Sequence, residues 1–231
     1  MSEPAGLYVT KSDFAYQRIR DGILNGEFEP GVVLNQAVLA KTIGISTTPL
    51  REALRRLKSE GLVELDAHRD ARVSPLTAEE ARDLLEVRLS LDPLAAALAA
   101  ERRSKDDIRR MREALKCVKP LQTNPTVYDL ASHREFHRAI YVAAHNDLLI
   151  ATLESLWDKA DRYRRMGLEV VRSQEERDRK DHEHAALFDA IVRGDADAAH
   201  AVMLVHINTS LGAKAASRLG VEPTSGLKQL S

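Results

Sequence analysis

Seven of the eight histidines fall between His133 and His206, and four of them have the spacing of a metal-chelating set. His133 and His137 stand four apart, so both project from one helical face, on a stripe with Phe136 and Ile140 that should turn inward. His184 shares a stripe with Leu187, Phe188 and Ile191, and His206 shares one with Ala199, Val202 and Met203. Gly194 marks a turn between these two segments, with His184 ten residues before it and His206 twelve after. At the helical rise those separations are roughly 15 and 18 Å, so an antiparallel hairpin sets the two imidazoles at similar depth. Four imidazoles converging inside a bundle suit a divalent transition metal, zinc or nickel first. A single histidine on an apolar face is ordinarily a hydrogen-bonded core residue; the pair and the depth match together favour the metal. Asp129, one turn before His133, is a candidate partner for a ligand. His145, His182 and His200 fall off these faces and read as bystanders. Arg88 lies on the stripe Leu84, Val87, Leu91, and a guanidinium turned inward needs an anion. That anion is either Asp92, four residues on, or a ligand carboxylate.

A second group of residues suits nucleic acid. Between residues 47 and 58, Arg51, Arg55, Arg56 and Lys58 stand against Glu52 alone, after a start made of Ser46, Thr47 and Thr48. Arginines at the beginning of a helix laid in the major groove can donate two hydrogen bonds to guanine, and hydroxyls can reach phosphates or base edges. His68, Arg69 and Arg72 flank a short turn and suit the DNA backbone or minor groove. The alternative reading is a solvated amphipathic helix.

The elements that must position these groups are helical almost throughout. Ser12 can cap a first helix bearing Tyr16, Ile19 and Ile23. Asn35 precedes a short helix that Gly44 ends, and Ser46 or Thr47 opens another with Leu50, Leu54 and Leu57, the outline of a helix-turn-helix. Leu62 to Leu65 and Ala71 to Val73 read as strands of a hairpin or wing. Thr77 and Glu80 have capping-box spacing and open a helix to about Ala100 that Pro93 kinks or restarts. Helices are expected from Ser104 through Val118, then to near His145, from Leu148 to about Met166, from about Glu175 to Arg193, and from Ala196 to about Arg218. The fold class is mainly α: a DNA-binding unit over residues 1–75, an antiparallel helical bundle over 76–219, and a loose tail over 220–231.

Composition narrows the rest. A chain of 231 residues makes one or two domains. The single cysteine, Cys117, permits no internal disulfide, so a cytoplasmic address is expected. No apolar run is long enough to span a bilayer, and the opening residues lack the pattern of a signal peptide. The 34 basic and 35 acidic groups nearly cancel, an average that hides the basic stripe of residues 47–58.

Residues 16–77 resemble the winged helix-turn-helix domain of GntR-family transcription regulators, through YQRIRDGILNGEFEPGVVL, LAKTIGISTTPLREALRRLKSEGLVEL and RVSPLT. Residues 77 to about 218 resemble the all-helical FCD effector domain of that family's FadR branch, through LLEVRLSLDPLAAALAA, HREFHRAIYVAAHN and EHAALFDAIVRGDADAAHAVMLVH. The resemblance implies a homodimer on a pseudo-palindromic operator in double-stranded DNA, with Ser46, Thr48, Arg51 and the wing at the DNA. Two positions depart from the family pattern: Thr47 stands where arginine is usual, and Asp70 where glycine is usual. Many FCD domains hold a divalent metal on one aspartate and three histidines. The three histidines correspond to His137, His184 and His206, and His133 stands at the aspartate position. A small carboxylate effector is expected beside the metal, at Arg88 with Asn146 and Arg162. The rival class is a helical-bundle metallohydrolase; no inward glutamate stands out beside the histidines, though Glu135 and Glu183 are close in sequence. A third reading makes the metal purely structural.

Overall fold

The computed structural model describes residues 10–65, 70–118, 127–169 and 173–221, with the side chains of 127–129 excepted. His68, Arg69, the side chain of Asp129 and residues 222–231 lie outside the described residues. The chain divides into two compact units between Leu76 and Thr77.

The first unit contains α1 (Lys11–Leu24), β1 (Val33–Asn35), α2 (Gln36–Ile43), α3 (Thr47–Ser59), β2 (Val63–Leu65) and β3 (Asp70–Val73). Thr10, not Ser12, caps α1, its hydroxyl accepting from the Asp13 amide. Asn35 caps α2 in the same way through Val38. Gly44 ends α2 at φ 73°, a left-handed conformation that glycine adopts freely and that lets α3 begin three residues later. One apolar face of α3, Leu50, Leu54 and Leu57, is fully buried against Ile19 and Leu62, leaving its opposite face to solvent. The three strands form an antiparallel sheet in the order β1-β3-β2, with Leu34 opposite Ala71 and Leu65 opposite Ala71 from the other side. Strand β1 is absent from the sequence reading because three residues with a single buried side chain carry no period.

The second unit contains α4 (Ala78–Arg102), α5 (Lys105–Cys117), α6 (Val127–Ala143), α7 (Asp147–Leu168), α8 (Gln174–Arg193), α9 (Ala196–Asn208) and α10 (Leu211–Arg218). Helix α4 packs against α6, α7, α8, α9 and α10 and is the centre of the bundle. It runs unbroken through Pro93, whose ring is buried, so packing on both sides outweighs the lost ladder bond and the expected restart does not occur. The one helix expected from Ala196 to Arg218 is two. Asn208, Thr209 and Ser210 compete with the helical ladder through their own side chains: Thr209 bonds back to the Val205 carbonyl and Ser210 caps α10. That break turns α10 across α7. Gly167 on α7 is what admits it, because a Cβ there would press on the Leu211 carbonyl oxygen, with the carbonyl carbon and Cα at 3.1 and 3.2 Å.

Candidate nucleic-acid face and metal centre

On α3 the side chains of Ser46, Thr47, Thr48, Arg51 and Arg55 are all exposed. Ser46 is the N-cap but makes no side-chain capping bond, so its hydroxyl remains available. Arg51 Nε donates to Gln36 Oε1 at 3.3 Å, which fixes the stem of the guanidinium while leaving its two terminal nitrogens forward. Arg56, by contrast, lies over the Tyr16 ring at 3.7 Å and reaches Glu60 and Asp13, so it braces α3 against α1. Tyr16, which donates to Glu60 at 2.8 Å, is pushed up to about 12 by burial and by that bond. In the sheet, Arg72 is exposed and donates to the Gly31 carbonyl at 2.7 Å. Asp70 accepts from Asn35 Nδ2 at 3.2 Å, tying β3 to the residue that caps α2. Its carboxylate is therefore a structural clasp at the wing base.

The second unit brings the four histidines together. His133 and His137 come from α6, His184 from α8 and His206 from α9, and one ligand nitrogen of each lies within 4.8 Å of the others. Ring centroids are 4.6 Å apart for His133 and His137 and 4.7 Å for His184 and His206. His137, His184 and His206 are buried. Burial, then the neighbouring cations and imidazoles, holds His133, His137 and His184 well below the ordinary histidine range, so each offers a lone pair. Among the described residues, neither ring nitrogen of His137 or His184, nor Nδ1 of His133, has a hydrogen-bond partner. Buried polar atoms seldom stay unsatisfied, and a cation held by all four rings would satisfy them; the residues present fit a divalent metal.

His206 differs from the other three. Its Nδ1 meets Glu183 Oε2 at 2.9 Å, which places the proton on Nδ1 and the lone pair on Nε2. Burial alone would raise Glu183, but hydrogen bonds from His206 and Lys180 hold it down at about 2. Lys180 in turn donates to Glu183 at 2.6 Å and to Thr209 Oγ1 at 2.5 Å. Glu183 is thus the inward glutamate that the sequence did not single out. Glu135, the other one near the histidines in sequence, is exposed. With two donors already on it, Glu183 fixes the His206 ring and is not free to act as a general base.

A cavity of about 260 Å³ opens beside the imidazoles. Arg88 lines it at 8% exposure and is gripped through Nε and Nη2 by Asp92, which also accepts from Tyr141 at 2.6 Å. Of the two anions expected for Arg88, the structure shows Asp92, and the guanidinium also lines the cavity. Arg164, at 3% exposure, donates Nη1 to Asp161 at 2.7 Å, while its Nη2 is buried with no partner. The other two expected effector residues are elsewhere. Arg162 is buried near Glu80 and does not line the cavity, since two residues along a helix is a turn of about 200° from Arg164. Asn146 accepts from the Leu149 amide as the N-cap of α7, so its side chain is spent on the backbone.

A helix-turn-helix with a small antiparallel sheet and an exposed basic face on α3, followed by a helical unit whose cavity is lined by histidines and cationic side chains, is the architecture of a DNA-binding regulator. Residues 11–73 match the bacterial regulatory proteins of the gntR family, and residues 83–209 match the FCD domain. Among curated relatives, the HTH-type transcriptional regulator LutR of Bacillus subtilis is 30% identical over 205 residues, covering 80% of this chain and 92% of its own. The HTH-type transcriptional repressor GlaR of Escherichia coli is 27% identical, covering 89% and 96%. The solved structure of E. coli McbR/YncC superposes with a TM-score of 0.73 at 21% identity, over 92% of this chain and 98% of that one. The chain belongs to the GntR family of bacterial transcription regulators, with an FCD domain. It is a DNA-binding transcription regulator; its relatives and both its domains are those of regulators and not of enzymes. No helix among the described residues is long and apolar enough to cross a membrane.

Proposed function

We propose that this regulator holds a divalent transition metal, zinc or nickel, on His133, His137, His184 and His206, and senses a small organic acid in the adjoining cavity. The observation that carries the reading is the set of buried nitrogens around one cavity that have no hydrogen-bond partner among the described residues: those of the imidazoles and Nη2 of Arg164. A bound ion would supply a Lewis-acidic position for a carboxylate oxygen. Arg88 and Arg164 would take the acid's other oxygens in the forked geometry that guanidinium favours. The cavity beside the histidines is what favours an effector-anchoring metal over a purely structural one.

The protein acts as a cytoplasmic homodimer on a pseudo-palindromic operator, with Ser46, Thr47, Thr48, Arg51 and Arg55 at the major groove and the wing, through Arg72 with His68 and Arg69, at the backbone. The effector needs only to bind one dimer arrangement better than the other for the spacing of the two α3 helices to shift. Elemental analysis of tag-free protein tests the metal: His137→Ala and His184→Ala should lose it, and metal content equal to wild type in both would refute the site. Operator binding that survives Arg51→Ala with Arg55→Ala would refute the reading face.

A further inference from the structure

The cavity is more cationic than one carboxylate requires. Arg88, Arg164, Arg179, Lys180 and Lys214 all line it. Asp92, Asp161, Glu183 and Glu176 each answer one of these, and Arg179 forms no ion pair among the described residues. One side-chain charge is therefore left over. Because all four candidate ligands are neutral imidazoles, a divalent ion on them keeps both its charges as well. A single carboxylate beside the imidazoles would leave one charge of that ion, and the unpaired guanidinium of Arg179 at the rim, without a counter-charge.

The positive charges occupy two places. Arg88 and Arg164 are buried with the histidines. Arg179 and Lys214 line the mouth from α8 and α10, Arg179 exposed and Lys214 half-buried, with the Ser210 and Thr209 hydroxyls beside them. Lys214 is already drawn to Glu176 at 2.7 Å, but Glu176 is half-exposed and can turn to water. A volume of about 260 Å³ holds roughly nine water-sized groups, enough for two carboxylates and a short carbon chain between them.

We propose that the effector is a small dicarboxylate, one carboxylate at the imidazole end beside Arg88 and Arg164 and the other at the mouth against Arg179 and Lys214. The inference rests on the proposed metal and acid site. Calorimetric titration of full-length, zinc-loaded protein compares acids matched in length: succinate against butyrate, and malate against 2-hydroxybutyrate. The dianion of each pair should bind ~10-fold or more tightly, the least that one added charge-assisted hydrogen bond gives. In the Arg179→Gln/Lys214→Gln variant that preference should vanish while affinity for the monoacid stays unchanged. Equal affinity within each pair on the wild-type protein overturns the dicarboxylate and leaves the acid site standing. A preference that persists in the variant overturns the placement at the mouth. If none of the four acids binds at millimolar concentration to protein with its metal in place, the acid site itself falls.

Discussion

Gly167→Ala sets two known effects against each other at a single position. Gly167 stands in the last turn of α7, and replacing a glycine of compatible backbone by alanine ordinarily stabilises by about 0.4–1 kcal/mol, because the unfolded chain loses freedom. Here the new Cβ would meet the backbone of Leu211, whose carbonyl carbon and Cα would lie at 3.1 and 3.2 Å with the oxygen closer still. A backbone carbonyl cannot swing aside as a side chain does, so α10 must move as a body, an overpacking that costs roughly 1–3 kcal/mol. Because the oxygen lies closer than real Cβ contacts come, the cost falls in the upper part of that range, about 2–3 kcal/mol, and the net loss is about 1–2.6 kcal/mol, or ~2–10 °C in midpoint for a unit of this size. Gly212→Ala is the control on the partner helix. Its Cβ would meet only Ser210 Oγ at 3.5 Å, an ordinary contact, and the lost freedom of the unfolded chain should raise the midpoint by ~1–4 °C. Trp157 is the single tryptophan, buried in the second unit, so its fluorescence during heating reports that unit alone. Because α10 carries Lys214 into the cavity wall, Gly167→Ala should also weaken binding of a dicarboxylate relative to its monoacid. If Gly167→Ala raised the midpoint as Gly212→Ala does, the close approach of α7 and α10 would be wrong.

Glu183→Gln keeps the shape beside His206 but removes the charge that fixes its tautomer, and zinc affinity measured by competition with a chelator should drop about 10- to 100-fold; an unchanged affinity would show that Glu183 does not orient the ligand. Asp92→Asn strands the buried Arg88 charge and should cost about 3–5 kcal/mol in thermal unfolding, whereas Arg88→Met with Asp92→Leu should recover most of that loss; a double variant as unstable as the single would refute the account of this pair. Tyr16 titrates near 12 when folded and at 10.0 when free, so the first unit should lose stability as pH rises from 10 towards 12, because unfolding releases the phenolic proton there. Denaturant titrations across that window should show the loss in wild type and a flatter profile in Tyr16→Phe; parallel profiles would count against it.

The histidine cluster was legible in the sequence because two regular features coincide: the four-residue spacing of His133 and His137, and the near-equal distances of His184 and His206 from Gly194. Both are properties of ideal helices, and α6, α8 and α9 are close to ideal where they carry these residues. Arg164 was not found, although a signal existed. It lies on the inward stripe Leu153, Trp157, Ala160, Arg164, Leu168, all buried, but the run Arg162, Arg164, Arg165 reads as a solvated basic face when charge is weighed before period. Glu183 left no local trace, since its role depends on His206 across the hairpin. The break after Asn208 was marked by three consecutive residues that prefer caps, yet the apolar pattern continues through Leu211 and Ala215 and masks it.

Two ion pairs buried side by side add little to the stability of a bundle. Arg88 with Asp92 and Arg164 with Asp161 each remove charges from water, and apolar residues of the same volume would fill the space at no greater cost. Arg164 goes further by burying a donor that nothing among the described residues accepts, and burial lowers its tendency to hold a proton. A core under selection for stability alone has no use for that arrangement. It becomes favourable only when an anion enters, because the desolvation has then already been borne by folding and the guanidinium need not be dried on binding. The same logic covers the imidazoles, whose unsatisfied nitrogens are preorganised for a cation. On the proposed reading the empty site destabilises the unit and the filled site stabilises it; only the part of that difference that distinguishes two dimer arrangements would shift DNA binding.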